Sequence, residues 1–487
     1  MARVYSPPVV YATWGWGMGL VGEVDRILVQ FRPVFSRRAA FGWFVIVVWA
    51  FMLRLEAFGV TSIVRCFGLA PTEYYNLLHF FHSASFSVCV LCCKWNEIVK
   101  QSTQSVVIGG LRLFLVDGIK AGKAGRKMPG VKLLHQESSN NTKAEHIMGH
   151  YWGAVSSVVV AGLHYLALPL RFQIQDGLKR SPSEAASLID KMASLVIETL
   201  GTAAGLVVGD AYFSSTGFIL ALRAADLHYV GRMRSNVVAY EPAKPRTGPP
   251  RRGRPAKYGR RIKLRELFEQ PKIFQPARVD LYGELRHVRY YCADLLWHGL
   301  WLRFVLSIYA DGRRRILVSS NRRLTPEDIL YAYGLRFKIE VSFKVFVQIL
   351  CGFCYHFWLK AMVKRQRGDG DQYLHRAGEE FREQVFRKIE AYERFVNISA
   401  IGLGILQMLA IRFPKQVWEC FPLWLRTYPK HACPSENVVR LTLQQELHRI
   451  SLETNRGLLI ENILATKHTA DADADHPMRL VAGAASG

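Results

Sequence analysis

The sequence predicts an α/β protein in which helical regions flank a strand-rich centre. Three observations carry that expectation. Between residues 105 and 225 the chain reads strand, acid, return strands, helix, strand, acid, the alternation of an α/β sheet. From Arg278 to Ser319 come β-branched and aromatic runs, among them Val288-Arg289-Tyr290-Tyr291, Leu302-Arg303-Phe304-Val305-Leu306 and Arg315-Ile316-Leu317-Val318. On either side the apolar spacing is mostly helical.

The totals set limits. Half of the 487 residues are apolar, enough for a large core and two or three domains. Lys and Arg number 64 against 39 Asp and Glu, a formal net charge of +25. Such an excess favours a polyanionic partner, most often DNA or RNA, and leaves a basic enzyme or a ribosome-associated protein open. Nine cysteines without disulfide-scaffold spacing fit a reducing compartment. The opening residues Met1 to Pro8 do not read as a signal peptide. Ala39 to Leu53 is fifteen uncharged residues between Arg38 and Arg54, short of the roughly 18 to 20 that span a bilayer. A buried helix is the expected reading, and a membrane span is its rival.

Taken in order, residues 1–104 are expected to be a helical N-terminal region, either a DNA-end-binding module or a cap on the main domain. Residues 105–225 hold the first part of the core. Ser105–Ile108 and Leu111–Val116 are strands split by Gly109-Gly110, the second ending in Asp117-Gly118. Val131–Leu134 returns as a strand, and Tyr151–Leu170 makes one or two more. Ser181 as N-cap and Pro182 at the first position predict a helix to Thr199. Gly205–Gly209 is a short buried strand ending in Asp210, Ala211–Ala225 a helix, and His228–Arg234 a strand with alternating cations.

Residues 226–322 read as a β-rich, basic insertion. Its stretch from Pro242 to Arg265 carries Arg251, Arg252, Arg254, Lys257 and Arg260. It reads as an arm on a DNA backbone or as a solvated linker, and its charge density favours contact. Asp311-Gly312 marks a hairpin turn. In residues 323–362, Thr325-Pro326-Glu327-Asp328 starts a helix, with Thr as N-cap and Pro at the first position. That helix is expected to carry Tyr333, Arg336, Glu340 and Lys344, whose spacings of three, four and four share one face. Residues 363–466 are expected to be helical, with Gly368–Asp371 an exposed loop and Glu379–Phe395 and Ile398–Ile411 as helices. Residues 467–487 read as a disordered tail. Its Asp471, Asp473 and Asp475 lack the glycine and terminal glutamate of a calcium loop.

Breaking a DNA phosphodiester needs an activated nucleophile and a stabilised leaving oxygen. Two Mg²⁺ ions about 3.5–4 Å apart serve both, and Mg²⁺ takes hard oxygen ligands. Asp117 and Asp210 at expected strand ends and Glu340 on a helix offer three. Singly, each has a plain reading: an Asp-Gly turn, or a surface glutamate paired with Lys344 at i+4. Their order around a basic β-rich insertion is more specific.

The segments Leu115-Val116-Asp117-Gly118, Val208-Gly209-Asp210-Ala211-Tyr212-Phe213 and Tyr333-x-x-Arg336-x-x-x-Glu340 resemble the DDE transposases of bacterial insertion sequences. More narrowly, they look like the branch with a Tyr-Arg-Glu-Lys signature, over roughly residues 105 to 360. The resemblance implies an RNase H-like catalytic core with a β-strand insertion between the second aspartate and the glutamate, for which the 129 intervening residues leave room. It implies catalysis by Asp117, Asp210 and Glu340 through two Mg²⁺ ions, with Mn²⁺ able to substitute. It further implies that Tyr333 and Arg336 hold a DNA end and that the chain dimerises on DNA. The family's lysine lies seven residues after the glutamate, where this chain has Val347. Lys344, one turn after Glu340, is the available substitute.

Several other features compete for function. Trp297 and Trp301 read as strand-face core residues, with stacking of a flipped base as the alternative. Cys89-x-x-Cys92 and Cys351-x-x-Cys354, near His82 and His356, have zinc-knuckle spacing in apolar surroundings and are expected to be buried thiols. His146, His150 and His164 are expected to be structural. The expectation is therefore a cytoplasmic, nucleoid-associated transposase acting on terminal inverted repeats and target DNA, with no membrane role. An RNase H-like nuclease without strand transfer and an inactive DNA-binding relative are the alternatives.

Overall fold

The computed structural model describes residues 19–56, 59–136, 144–183, 186–243, 256–281, 284–421, 432–452 and 458–472. Five helices come first: α1 (Leu20–Val29), α2 (Arg38–Leu53), α3 (Thr61–Cys66), α4 (Glu73–His82) and α5 (Val88–Ser102). The mixed α/β centre follows, with β1 (Val107–Ile108), β2 (Leu111–Gly122), β3 (Lys132–His135), β4 (His146–Ala161), β5 (His164–Ile174), β6 (Leu178–Lys179), α6 (Leu188–Leu200), β7 (Gly205–Gly209), α7 (Thr216–Ala224) and β8 (Leu227–Arg232). Next are β9 (Val238–Pro242), β10 (Tyr258–Lys263), β11 (Gln275–Leu281), β12 (Glu284–Trp297), β13 (Leu300–Tyr309) and β14 (Arg314–Ser319). Helices α8 (Pro326–Leu335) and α9 (Phe337–Gln348), the short β15 (Gln372–Tyr373), and α10 (Glu379–Arg412), α11 (Pro414–Cys420), α12 (Glu436–Leu452) and α13 (Leu459–Ala472) complete the chain.

One large sheet runs in the order β10-β9-β12-β13-β14-β8-β7-β2-β4-β3, with β1, β11 and β5 paired to β2, β12 and β4. Strands β5, β4 and β2 are antiparallel neighbours, whereas β2, β7 and β8 are parallel. Strand β14 joins β8 antiparallel, so β9 to β14 extend the same sheet. Side-chain direction fixes which helix covers which face. A Cβ on Gly153 of β4 would meet Met192 and Leu195 of α6. The next residue, Ala154, pairs with Phe172 of β5, and the Phe172 ring stacks on Phe346 of α9 at 5.0 Å. Helices α6 and α9 therefore cover opposite faces.

Helix α10 is 34 residues long, one element where two were expected. The sequence break between a charged first half and an apolar second half reflects depth, not a change of direction: the second half is buried almost throughout. Among the described residues it is the helix long and apolar enough to cross a membrane, but 94% of its apolar window is covered by the rest of the chain. Helix α2, the other membrane-like run, is buried over Phe44 to Met52. Asn397 of α10 closes the edge of β5: its side-chain oxygen accepts from Phe172 N–H at 2.8 Å and its amide donates to Phe172 C=O at 2.9 Å. An edge strand otherwise exposes those groups. Replacing Asn397 by Ala strands both backbone groups and should lower unfolding stability by about 2–3 kcal/mol, measurable by denaturant melts.

Several local expectations are corrected. Helix α6 begins at Leu188, not Pro182, because Ser187 and Asp190 form a reciprocal capping box. Helix α7 starts at Thr216 with Ser215 as its cap, five residues later than expected. The helix expected to run through 323–362 is two helices. Arg336 N–H bonds Tyr333 C=O and Ile339 N–H bonds Arg336 C=O, and these tight turns part α8 from α9. Between α9 and α10 the chain is mostly irregular where helix was expected, apart from β15 and a short 3₁₀ turn at Leu374–Arg376. Asp371, expected in an exposed loop, is half-buried and pairs with Lys132 at 2.7 Å. The C-terminal end is helical to Ala472, past the expected start of the disordered tail.

Lys123, just beyond β2, is buried against the Phe353–Tyr355 segment. Its ammonium donates to the carbonyls of Phe353 and Tyr355 and lies 3.5 Å from the Tyr355 ring centre. Burial pushes it down to about 7. Between pH 7 and the ordinary lysine value the folded chain thus binds fewer protons than the unfolded chain. Stability should rise with pH across that window, by on the order of 1 kcal/mol per pH unit. Lys123→Met should remove that part of the slope in melts recorded from pH 7 to 9.5.

Candidate active site

Strand register assembles the site. The parallel pairing of β2 with β7 ends at Leu115 opposite Val208. Continued two residues past that last pair, the register brings Asp117 level with Asp210, the residue that follows β7; paired strands lie about 5 Å apart. Asp117 is not at a strand end as the sequence implied. It is the seventh of twelve residues in β2, which continues because β4 pairs with it from Phe114 to Gly122. What ends there is β7, so Asp117 is mid-strand on one side and past the last parallel partner on the other. Asp117 pairs with Ala154 and so faces the same side as Phe172, the side that α9 covers. Glu340 lies in the first turn of α9, where the helix dipole favours an acid.

Arg336, at the junction of α8 and α9, connects these groups. Its Nη1 donates to Asp117 Oδ2 at 3.0 Å, and its Nη2 donates to Glu340 Oε1. The Arg336 and Asp117 side chains are only 19% and 18% exposed, against 43% for Glu340, so the link is largely shielded from solvent. Burial pushes the Asp117 carboxyl up to about 6; Arg336 opposes that shift, and the charges of Asp210 and Glu340 add to it. The charges of both other acids therefore reach Asp117.

Asp210 is held by its own loop. Its Oδ1 accepts from Tyr212 N–H at 2.8 Å, and its carbonyl accepts from the Tyr229 hydroxyl at 3.0 Å. The Tyr229 hydroxyl also meets Ser214 Oγ at 3.1 Å. Tyr229 is fully buried, and burial holds its hydroxyl well above the usual range. The ring lies so close to Gly231 that a Cβ there would stand 2.1 Å from the hydroxyl oxygen. Tyr151 is a second, half-buried phenol nearby: a Cβ on Gly118 would stand 2.0 Å from its oxygen, and partial burial followed by the Asp117 charge raises it. Sequence reading assigned neither tyrosine a part. The only trace was the glycines Gly118, Gly209 and Gly231 next to strand positions that matter. Gly231→Ala should cost about 1–3 kcal/mol through overpacking, read as a lower melting temperature.

The other expected site residues are less converged. Tyr333 is 7% exposed, with the Arg315 guanidinium 5.8 Å from its ring centre, so its surface serves packing. Lys344 and Val347 are exposed on α9. Arg260 lies on β10 and pairs with Glu241 at 2.7 Å, and the Lys257 ammonium sits 5.6 Å from the Tyr258 ring centre. Arg251, Arg252 and Arg254 lie outside the described residues. A cleft of about 710 Å³ opens beside Asp210, lined by Tyr212, Arg234, Tyr240, Tyr258, Trp297 and His298 among others. Trp297 is buried, whereas Trp301 is 38% exposed beneath Arg322, so only one of the two tryptophans is a core residue.

The zinc-knuckle spacings resolve without a cluster. Cys92 is buried, but Cys89 is exposed, contrary to expectation, because it lies on the outer face of α5. Cys354 hydrogen-bonds Cys351, and that bond with the nearby Arg54 and Arg440 charges lowers the Cys351 thiol. His150 is buried between Tyr355 Oη at 2.6 Å and Pro129 C=O at 2.8 Å, a structural position. Among the described residues no three His, Cys, Asp or Glu side chains are gathered closely enough to hold a metal ion as they stand.

The sequence profile of the DDE superfamily endonucleases matches residues 30–289, more than half of the 487-residue chain. The chain belongs to that family. The matched part of the chain contains Asp117 and Asp210 and ends before Glu340. Among solved structures, a similarity is found to a piggyBac transposase synaptic complex with hairpin DNA, at 12% identity and a TM-score of 0.36, over 92% of this chain and 82% of that one. No curated protein matches the chain.

Proposed function

We propose that this DDE endonuclease is a transposase, cutting DNA at the ends of a mobile element and joining the freed ends to target DNA. What supports the proposal is that Arg336 joins Asp117 of β2 to Glu340 in the first turn of α9, with Asp210, just after β7, near enough for its charge to reach Asp117. The order β5-β4-β2-β7-β8, three antiparallel strands followed by two parallel ones, supports an RNase H-like reading of the core, with β9 to β14 as the insertion.

The three carboxylates are hard oxygen donors of the kind Mg²⁺ selects, and the guanidinium bridging two of them marks a place built for positive charge. Asp117, Asp210 and Glu340 are the residues proposed to hold two Mg²⁺ ions, with Mn²⁺ as a substitute. When bound, such ions activate the attacking oxygen and stabilise the leaving one. The chain's own residues then have separable tasks. Burial beneath α9 limits water around Asp117. The Tyr229 and Ser214 hydrogen bonds fix the Asp210 loop. Lys344, Lys257, Arg260 and the arginines at 251, 252 and 254 are proposed to neutralise DNA phosphates. One acid set serves both the attack of water that frees a 3′-OH and the attack of that 3′-OH on target DNA. Handling two ends together calls for two copies, so a homodimer on DNA in the bacterial cytoplasm is part of the proposal.

The test is a cleavage and joining assay on end-containing duplex DNA with Mg²⁺. Asp117→Asn, Asp210→Asn and Glu340→Gln should each reduce cutting by more than about a hundredfold, since even partners of metal ligands cost 10–100-fold. Wild-type-like cutting by all three variants rules the triad out. Cutting without joining points to a nuclease. Binding without cutting points to an inactive relative, an outcome consistent with Val347 where the family has lysine.

A further inference from the structure

We infer that Arg336 is a guanidinium placeholder for the metal site: in the DNA-free chain it cross-links Asp117 and Glu340 and must release them before a divalent cation can bind. The inference rests on the reading of those two acids as metal ligands and adds a gate to it. Three features carry it. The two arms of one guanidinium are divided between two different carboxylates, Nη1 to Asp117 and Nη2 to Glu340. The side chain is largely enclosed, at 19% exposure. And Arg336 stands where α8 meets α9, on tight turns that depart from regular helix.

Chemistry selects what opens the gate. A guanidinium keeps its charge at any working pH, so the arginine does not let go by losing its own proton. The anion that fits its fork as well as a carboxylate does is a phosphate diester. A DNA backbone reaching the junction of α8 and α9 offers Arg336 a replacement partner and leaves Asp117 and Glu340 uncompensated. Two uncompensated carboxylates attract a divalent cation. Metal loading thus becomes conditional on DNA, and by linkage the two ligands favour one another. Such a gate keeps the DNA-free protein from carrying a loaded site to arbitrary DNA.

The opposing reading makes Arg336 a brace that presents the acids correctly, and the two predict opposite signs. Mn²⁺ binding to the whole DNA-free protein is measured by titration calorimetry or by the loss of the free-ion electron paramagnetic resonance signal. Arg336→Gln should bind Mn²⁺ about tenfold more tightly than wild type, because a competing charge has gone from two ligands. Arg336→Lys should fall between them, since a point charge reaches only one acid at a time; it also serves if the glutamine variant does not fold. Adding Asp117→Asn to each should abolish binding. Unchanged or weaker Mn²⁺ binding in the Arg336 variants overturns the gate while leaving the metal site intact. Binding that does not depend on Asp117 in any background overturns both.

Discussion

Asp117, largely buried in the middle of β2 and within reach of the charges of Asp210 and Glu340, is costly to ionise without a cation beside it. The rest of the site follows from that constraint. Asp117 shows it directly: burial and its two acidic neighbours push its carboxyl up to about 6 even with Arg336 in contact. Arg336 answers the constraint from the break between α8 and α9, where it reaches both Asp117 and Glu340. Had those helices run on as one, Arg336 and Glu340 would still share a helix face. The tight turns at the junction leave the guanidinium joined to Asp117 as well as to Glu340.

The sheet beneath keeps the acids in register. A shift of one residue in β2 against β7 would turn Asp117 to the face covered by α6. Several features oppose such a shift. Strand β2 is paired on both edges, to β4 and to β7. Glycines at 118 and 231 admit the Tyr151 and Tyr229 rings. Asn397 ties the edge of β5 to α10. Helix α10 in turn packs on α2, α4, α5 and α12, which makes the N- and C-terminal helices one support behind the site and gives the apolar α2 a protein partner in place of lipid.

Much of this was legible in the sequence. Thr325-Pro326-Glu327-Asp328 announced a helix start that the structure reproduces with a full capping box. The strand runs of the centre and of the insertion fall close to where β-branched and aromatic residues cluster. Errors concentrate where local signals compete. Ser181-Pro182 looked like a helix start, but Ser187 with Asp190 closes a better cap six residues on. Asp-Gly at 117 looked like a turn, because a sequence does not show that β4 will hold β2 extended beyond it. Tyr333 was expected to share one helix face with Arg336, Glu340 and Lys344, yet it is buried on α8 while Glu340 and Lys344 are exposed on α9.

The sequence by itself determined the chemical inventory: three acids in order, a basic insertion between the second and third, and a capped helix leading to the last. Those are local properties, written in residue type and spacing. Only the tertiary structure decided that Asp117 comes level with Asp210, that Arg336 spans from Asp117 to Glu340, and that Gly118 admits the Tyr151 ring. Each of those depends on strand register and helix packing between segments far apart in the chain, and no local pattern encodes which residue of one strand will lie opposite which residue of another.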